Sequence, residues 1–176
     1  MLPTVLVILT LAALYWLPIR RRMNQWGTAA SDLAREMAGD GLLADPTYSG
    51  TMAVIVNARP EHIWPWLVQI GYQRGGLYSY DWLDRLFGYL DRPSATRILP
   101  EFQHLASGDL IPLGRGPSWP VAVVEPNRAL VLDMRHMGGL VGCGSLVCTQ
   151  LTRRGHDSCR AAASVHRQCG PGCSSM

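Results

Sequence analysis

Residues 2–19 read LPTVLVILTLAALYWLPI, a stretch with no charged side chain and only Thr4 and Thr10 as polar interruptions. Such a run has to be taken out of water, either into a protein core or into a bilayer. As one continuous helix it would measure about 27 Å, close to the ~30 Å of a hydrocarbon layer. Pro3 and Pro18 lie near its ends, Tyr15 and Trp16 approach one boundary, and Arg20, Arg21 and Arg22 follow at once. Aromatic residues followed by a basic cluster mark a membrane interface, so the reading is a single-pass transmembrane helix anchoring the chain to the lipid bilayer through residues 2–19. The basic flank on the carboxy-terminal side places the folded part at the cytoplasmic face of the cell membrane. A cleaved secretory signal fits less well, because a basic n-region is missing and Ala12-Ala13 is a poor cleavage site. A buried apolar helix and a true start at Met23 are the other readings.

The remaining charge is distributed so as to exclude a nucleic-acid partner. All sixteen basic residues of the 176-residue chain are arginine, against thirteen acidic residues, for a net charge of +3. Across residues 20–142 twelve arginines balance twelve acidic side chains, and the whole excess lies in the last 34 residues. No basic field is available to follow a phosphate backbone. The cysteines are equally uneven: Cys143, Cys148, Cys159, Cys169 and Cys173 all fall in the tail. Their number is odd and their spacing fits no usual zinc pattern. A disulfide-stapled tail, a cysteine metal site and an accidental sequence are all open readings, and no metal or cofactor is assigned.

Between these ends the chain alternates periods. Residues 23–50 form a connector in which Ser31-Asp32 can cap a short helix running to Ala38, stopped by Gly39 and Gly41. Thr51–Asn57 alternates Met52, Val54 and Val56 with Ala53 and Ile55, the period of a strand. Pro60 then opens a helix with Ile63, Trp66, Leu67 and Ile70 on one face, and Pro65 removes one bond from its interior. Trp82, Leu83, Leu86 and Leu90 suggest a second apolar helical face. Val121–Val124 and Ala129–Leu132 flank Glu125-Pro126-Asn127-Arg128, a hairpin whose proline suits a type I turn. Strand, two helices and antiparallel strands give an α+β domain rather than a doubly wound one.

The segments IWPWLVQIGYQRGGLYSYDWLDRLFG, ATRILPEFQHLASGDLIPLG and VAVVEPNRALVL resemble the SRPBCC (START/Bet v 1-like) superfamily, and within it the polyketide cyclase/dehydrase and lipid-transport-like group. The resemblance covers residues 51–137 and implies a helix-grip fold: a curved antiparallel sheet around a long carboxy-terminal helix, two short helices after strand one, and an apolar cavity between sheet and long helix. On that reading strand one is 51–57, the short helices are 60–70 and 79–90, and later strands are 109–113, 121–124 and 129–133. From Gly138 onward the resemblance stops. Residues 138–176 read as an atypical tail without regular order, as a shifted reading frame or truncation would produce, so the helix-grip domain is expected to be incomplete.

Arg74, Tyr78, Tyr80 and Asp81 form the densest polar constellation, and the resemblance places them near one end of the cavity. There Arg74 would meet a carboxylate or phosphate and the tyrosines would orient a ligand oxygen. Trp66 would contribute an apolar wall. The plainer reading is structural: Asp81 caps the next helix, Arg74 pairs with it, and the tyrosines pack at their edges. The function expected from these residues is a membrane-anchored, START-like domain that binds a hydrophobic small molecule, lipid or polyketide-like. A polyketide aromatase/cyclase-type enzyme and a nonfunctional frameshifted remnant are the alternatives.

Overall fold

The computed structural model describes residues 2–15, 19–42, 48–116, 118–133, 143–154 and 158–169 of the chain. In chain order these hold α1 (Leu2–Leu14), α2 (Arg20–Met23), α3 (Ala30–Leu33), β1 (Tyr48–Val56), α4 (Pro60–Val68), α5 (Asp81–Leu86), β2 (Leu110–Pro112), β3 (Ser118–Glu125), β4 (Ala129–Asp133), β5 (Cys143–Arg153) and β6 (Cys159–Cys169). The six strands make one sheet in the order β1-β6-β5-β4-β3-β2, with every pairing antiparallel. Consecutive strands β2 to β6 are neighbours, and β1 reaches the sheet only by pairing with β6.

The alternation in β1 decides which side chains meet the core. In the register with β6, Val56 stands opposite Cys159, Val54 opposite Ala161 and Met52 opposite Ala163. Side chains opposite one another in an antiparallel pair share a face. Helix α4 lies on that face. Its Trp64 and Val68 bury against Ile111, Val121, Leu130, Leu132, Leu151 and Cys159, with Val56, Ile63 and Ala161 at the margin. Pro60 begins α4 at a position where its missing N–H costs nothing, and Pro65 is accommodated inside it. The opposite face is covered by the connector: Met37 packs on Val131, beside Ala122 and Ala162.

The connector also protects the free edge of β1. The N–H groups of Thr51 and Ala53 donate to the carbonyls of Asn24 and Trp26 at 3.0 and 2.9 Å. Gly27 follows with φ +69°, where a Cβ would run into the Ala53 carbonyl group. Asp32, one turn into α3, returns a carboxylate oxygen to the Ala29 N–H at 2.6 Å. The same carboxylate receives Arg160 of β6, whose Nε lies 2.8 and 2.9 Å from its two oxygens.

Several expectations are corrected here. No helix among the described residues is long and apolar enough to cross a membrane. Helix α1 has 13 residues, about 20 Å of rise, against the ~30 Å needed. Trp16, Leu17 and Pro18 of the expected span lie outside the described residues. The transmembrane helix, the bilayer as partner and the single-pass topology at the cell membrane are therefore withdrawn. The tail is corrected too: residues 143–153 and 159–169 are strands, with Cys159 and Ser164 fully buried. The second short helix is Asp81–Leu86 rather than 79–90. Trp82 and Leu86 are exposed while Leu90 is buried. The 125–128 hairpin closes through Arg128 N–H to the Glu125 carbonyl at 3.0 Å, but Asn127 has φ +60°. A positive φ at the third turn position belongs to a type II turn, not type I.

The described apolar side chains of α1 are exposed, Leu6 at 57% and Leu11 at 61% among them. Within it the Thr10 hydroxyl turns back onto the Leu6 carbonyl at 2.8 Å. The combined substitution Leu6→Glu and Leu11→Glu is therefore expected to shift Tm by less than about 2 °C, as ordinary surface substitutions do. A drop of 5 °C or more in a thermal melt, on that ~1 kcal/mol scale, would mean that α1 packs on the sheet.

Candidate functional site

The end of α4 and the loops at 69–80 and 94–105 build the polar end of the molecule. Helix α4 stops at Val68, and its last carbonyls lack partners within the helix. Arg74 supplies one partner: its Nη2 donates to the Val68 carbonyl at 2.8 Å, while its Nε donates to the Ile70 carbonyl, just beyond the helix, at 3.1 Å. The guanidinium carbon sits 4.6 Å from the centre of the Phe102 ring, a cation–π contact. Burial draws the Arg74 pKa below its ordinary value, and Asp109 opposes that shift. Arg74, Glu101, Phe102, His104, Leu105 and Asp109 line a cleft of about 40 Å³, room for about three waters and not for a larger ligand.

Gln69 sits at the centre of a second set of contacts and is fully buried. Its Oε1 accepts the Leu99 N–H at 2.9 Å and the Gln103 amide at 3.3 Å. That acceptance fixes the amide orientation, so Nε2 donates to the Arg97 carbonyl at 3.2 Å and to the Tyr78 hydroxyl oxygen. Tyr78 has its own proton left to donate, and its ring meets Trp66 edge-on at 5.6 Å. The loop reaches this position through an isolated bridge in which Gly71 and Gly76 exchange both backbone hydrogen bonds, at 2.9 and 3.1 Å. Gly76 has φ +97°, and a Cβ there would come within 2.7 Å of the Ser94 Cα.

Asp81 begins α5 and holds Ser94, accepting its N–H at 2.8 Å and its hydroxyl at 2.6 Å. These bonds lower the Asp81 pKa. The Ser94 oxygen in turn accepts the Tyr78 N–H at 3.3 Å. The predicted residues therefore divide. Trp66 touches Tyr78, and Tyr78 connects to Asp81 through Ser94. Arg74 binds the Val68 and Ile70 carbonyls and Phe102 instead of pairing with Asp81, and Tyr80 is 71% exposed.

Sequence reasoning missed Gln69, Ser94, Phe102 and Gln103. Gln69 has its partners 28, 30 and 34 positions away at Arg97, Leu99 and Gln103, so local pattern carries no sign of them. The paired Gly75-Gly76 was the available hint of close approach: a Cβ on Gly75 would lie 2.8 Å from both the Gln69 carbonyl and its Cγ. No group of three or more His, Cys, Asp or Glu among the described residues can hold a metal ion.

No protein-family description matches the chain, and no curated protein does. Among solved structures it shows a weak likeness to several proteins of SRPBCC/Bet v 1-like fold. CalU16 from Micromonospora echinospora aligns at 16% identity with a TM-score of 0.42, over 69% of this chain and 60% of that one. A Thermobifida fusca protein aligns at 14% identity and 0.44, over 70% and 75%. A norcoclaurine synthase point mutant from Thalictrum flavum aligns at 15% and 0.43, over 73% and 80%. The chain spans about three fifths of the length of CalU16 and of an Enterococcus faecalis protein of unknown function.

Proposed function

We propose that this chain is a helix-grip-type domain that binds a hydrophobic small molecule against its sheet. The observation that carries the reading is the uneven cover on one sheet face. Val56 lies against the cluster under α4, but further back along the same face of β1 Val54 and Met52 are 58% and 52% exposed. Each 100 Å² of such surface covered by an apolar ligand is worth about 2.5 kcal/mol. Tyr78 supports the reading as a donor able to orient a ligand oxygen, while most of the binding would come from apolar burial. Arg74, Tyr80, Asp81 and Trp66 remain candidate ligand contacts, with Arg74 and Asp81 committed first to holding their loops.

The test is native extraction of the full chain followed by mass analysis, together with titration of an apolar fluorescent probe. Val54→Asp is expected to weaken probe binding about tenfold or more, because a carboxylate would face the ligand. Unchanged affinity in a variant that still melts cooperatively would remove this sheet face as the site. A second reading, an aromatase/cyclase-type enzyme, is favoured by the Tyr78 hydroxyl proton, which Gln69 leaves available for a substrate carbonyl. Turnover of a polycarbonyl substrate that is lost in Tyr78→Phe while probe binding persists would establish it.

A further inference from the structure

The β5–β6 hairpin places two cysteines directly opposite one another. Its register runs without interruption from Arg153 opposite Cys159 to Cys143 opposite Cys169. The phase of the ladder is set at the turn, where the Arg154 N–H donates to the Ser158 carbonyl at 2.8 Å. Arg154 and Ser158 therefore occupy a hydrogen-bonded position, and Arg153 and Cys159 the adjoining non-hydrogen-bonded one. The two kinds alternate along an antiparallel ladder. Cys143 lies an even number of steps from Arg153, so Cys143 and Cys169 also form a non-hydrogen-bonded pair. Such pairs have Cα atoms about 4.5 Å apart, inside the roughly 4.4–6.8 Å span of disulfides. Cys148 stands opposite Ser164 and Cys159 opposite Arg153, so neither of them faces a cysteine. Cys159 is buried as a free thiol, and that burial raises its pKa.

We propose that Cys143 and Cys169 are a modification site: they form an intramolecular disulfide that staples the open end of the β5–β6 hairpin when the chain meets a low-molecular-weight disulfide. One thiolate attacks the small disulfide, giving a mixed disulfide and one small thiol. The second protein thiolate then displaces the other small thiol. Two protein thiols are oxidised, one small disulfide is reduced to two thiols, and the two protons that leave the protein thiols end on the two small thiols. The bond has a structural consequence, since β1 joins the sheet only through β6. A staple across β5 and β6 fixes the pair that links β1 to the other strands. This inference is independent of ligand binding.

The test uses the full chain, fully reduced and then equilibrated with oxidised glutathione, alkylated and mapped by proteolysis and mass spectrometry. The expected product is a Cys143–Cys169 linked peptide, at about tenfold or greater yield than any other pairing, with Tm raised by roughly 5–15 °C. Cys143→Ser and Cys169→Ser should each abolish the link and the rise in Tm, whereas Cys148→Ser and Cys173→Ser should retain both. In denaturant the preference should disappear. Persistent glutathione adducts on Cys143 or Cys169, both thiols still open to alkylation, or a link that Cys173→Ser removes would each overturn the proposal.

Discussion

Replacing Asp32 by alanine is expected to reduce the free energy of unfolding by about 3–5 kcal/mol, the cost of leaving one member of a buried ion pair alone. The Asp32 side chain is 4% exposed and that of Arg160 15%. Arg160 would lose its carboxylate and keep only the Gly27 carbonyl, which its Nη2 reaches at 2.6 Å. The Ala29 N–H would lose its acceptor as well. The pair ties the connector to β6, so the same substitution should speed amide exchange at Thr51 and Ala53, whose N–H groups bond to the connector. Replacing both partners by apolar residues of similar volume should recover much of the loss, because a buried charge pair repays its desolvation only narrowly. Equilibrium denaturation of the two variants measures both effects. A loss below about 1 kcal/mol in the single variant would place the pair in the class of exposed salt bridges.

The acid limb of stability carries the same signature. The hydrogen bonds from Arg160 hold the Asp32 carboxyl below its ordinary pKa, burial opposes this, and the Ala29 N–H reinforces it. A folded-state pKa below the unfolded one gives a contribution that is complete above about pH 4 and declines as pH falls toward the folded value. Wild type should lose stability over that interval more steeply than Asp32→Ala. Parallel acid limbs would show that the carboxylate is not specifically held.

Gln69→Leu is the second large effect expected, a loss of roughly 2–4 kcal/mol. The shape is nearly kept, but the Leu99 N–H and the Arg97 carbonyl would remain in place without their partner, each costing about 1–3 kcal/mol when buried. Gln103 would retain the Pro65 and Leu99 carbonyls, both at 3.2 Å, so the loop should loosen without coming free. Hydrogen exchange at the Leu99 amide is the sharpest measurement. Its protection should fall strongly in Gln69→Leu, and the denaturation midpoint should fall with it. Unaltered protection at Leu99 would mean that the loop is held by other contacts.

How much of this was legible beforehand depended on the distance between partners. The 60–68 helix, the 129–133 strand and the alternation of β1 follow from period and from proline, which act over a few residues. The connector helix ends at Leu33 and does not extend to Ala38; the Asp32 carboxylate inside it meets a partner 128 positions away. Strands β5 and β6 looked foreign because alanine, serine and cysteine leave little periodic contrast; they are strands because neighbours on both sides offer backbone partners. Of the candidate site, Trp66 and Tyr78 were named without Gln69, the residue that orders them.

The sequence by itself determined an α+β chain with a proline-started helix after its first strand, an uncharged beginning and no basic field. It could not say whether that beginning forms a helix long enough to span a bilayer, nor that the tail supplies the two strands joining β1 to the rest of the sheet, nor what Arg74 binds. Those were decided by tertiary structure. The physical reason is that hydrogen-bond satisfaction and ion pairing are settled by whichever groups folding brings within about 3 Å, whereas sequence records only neighbours along the chain.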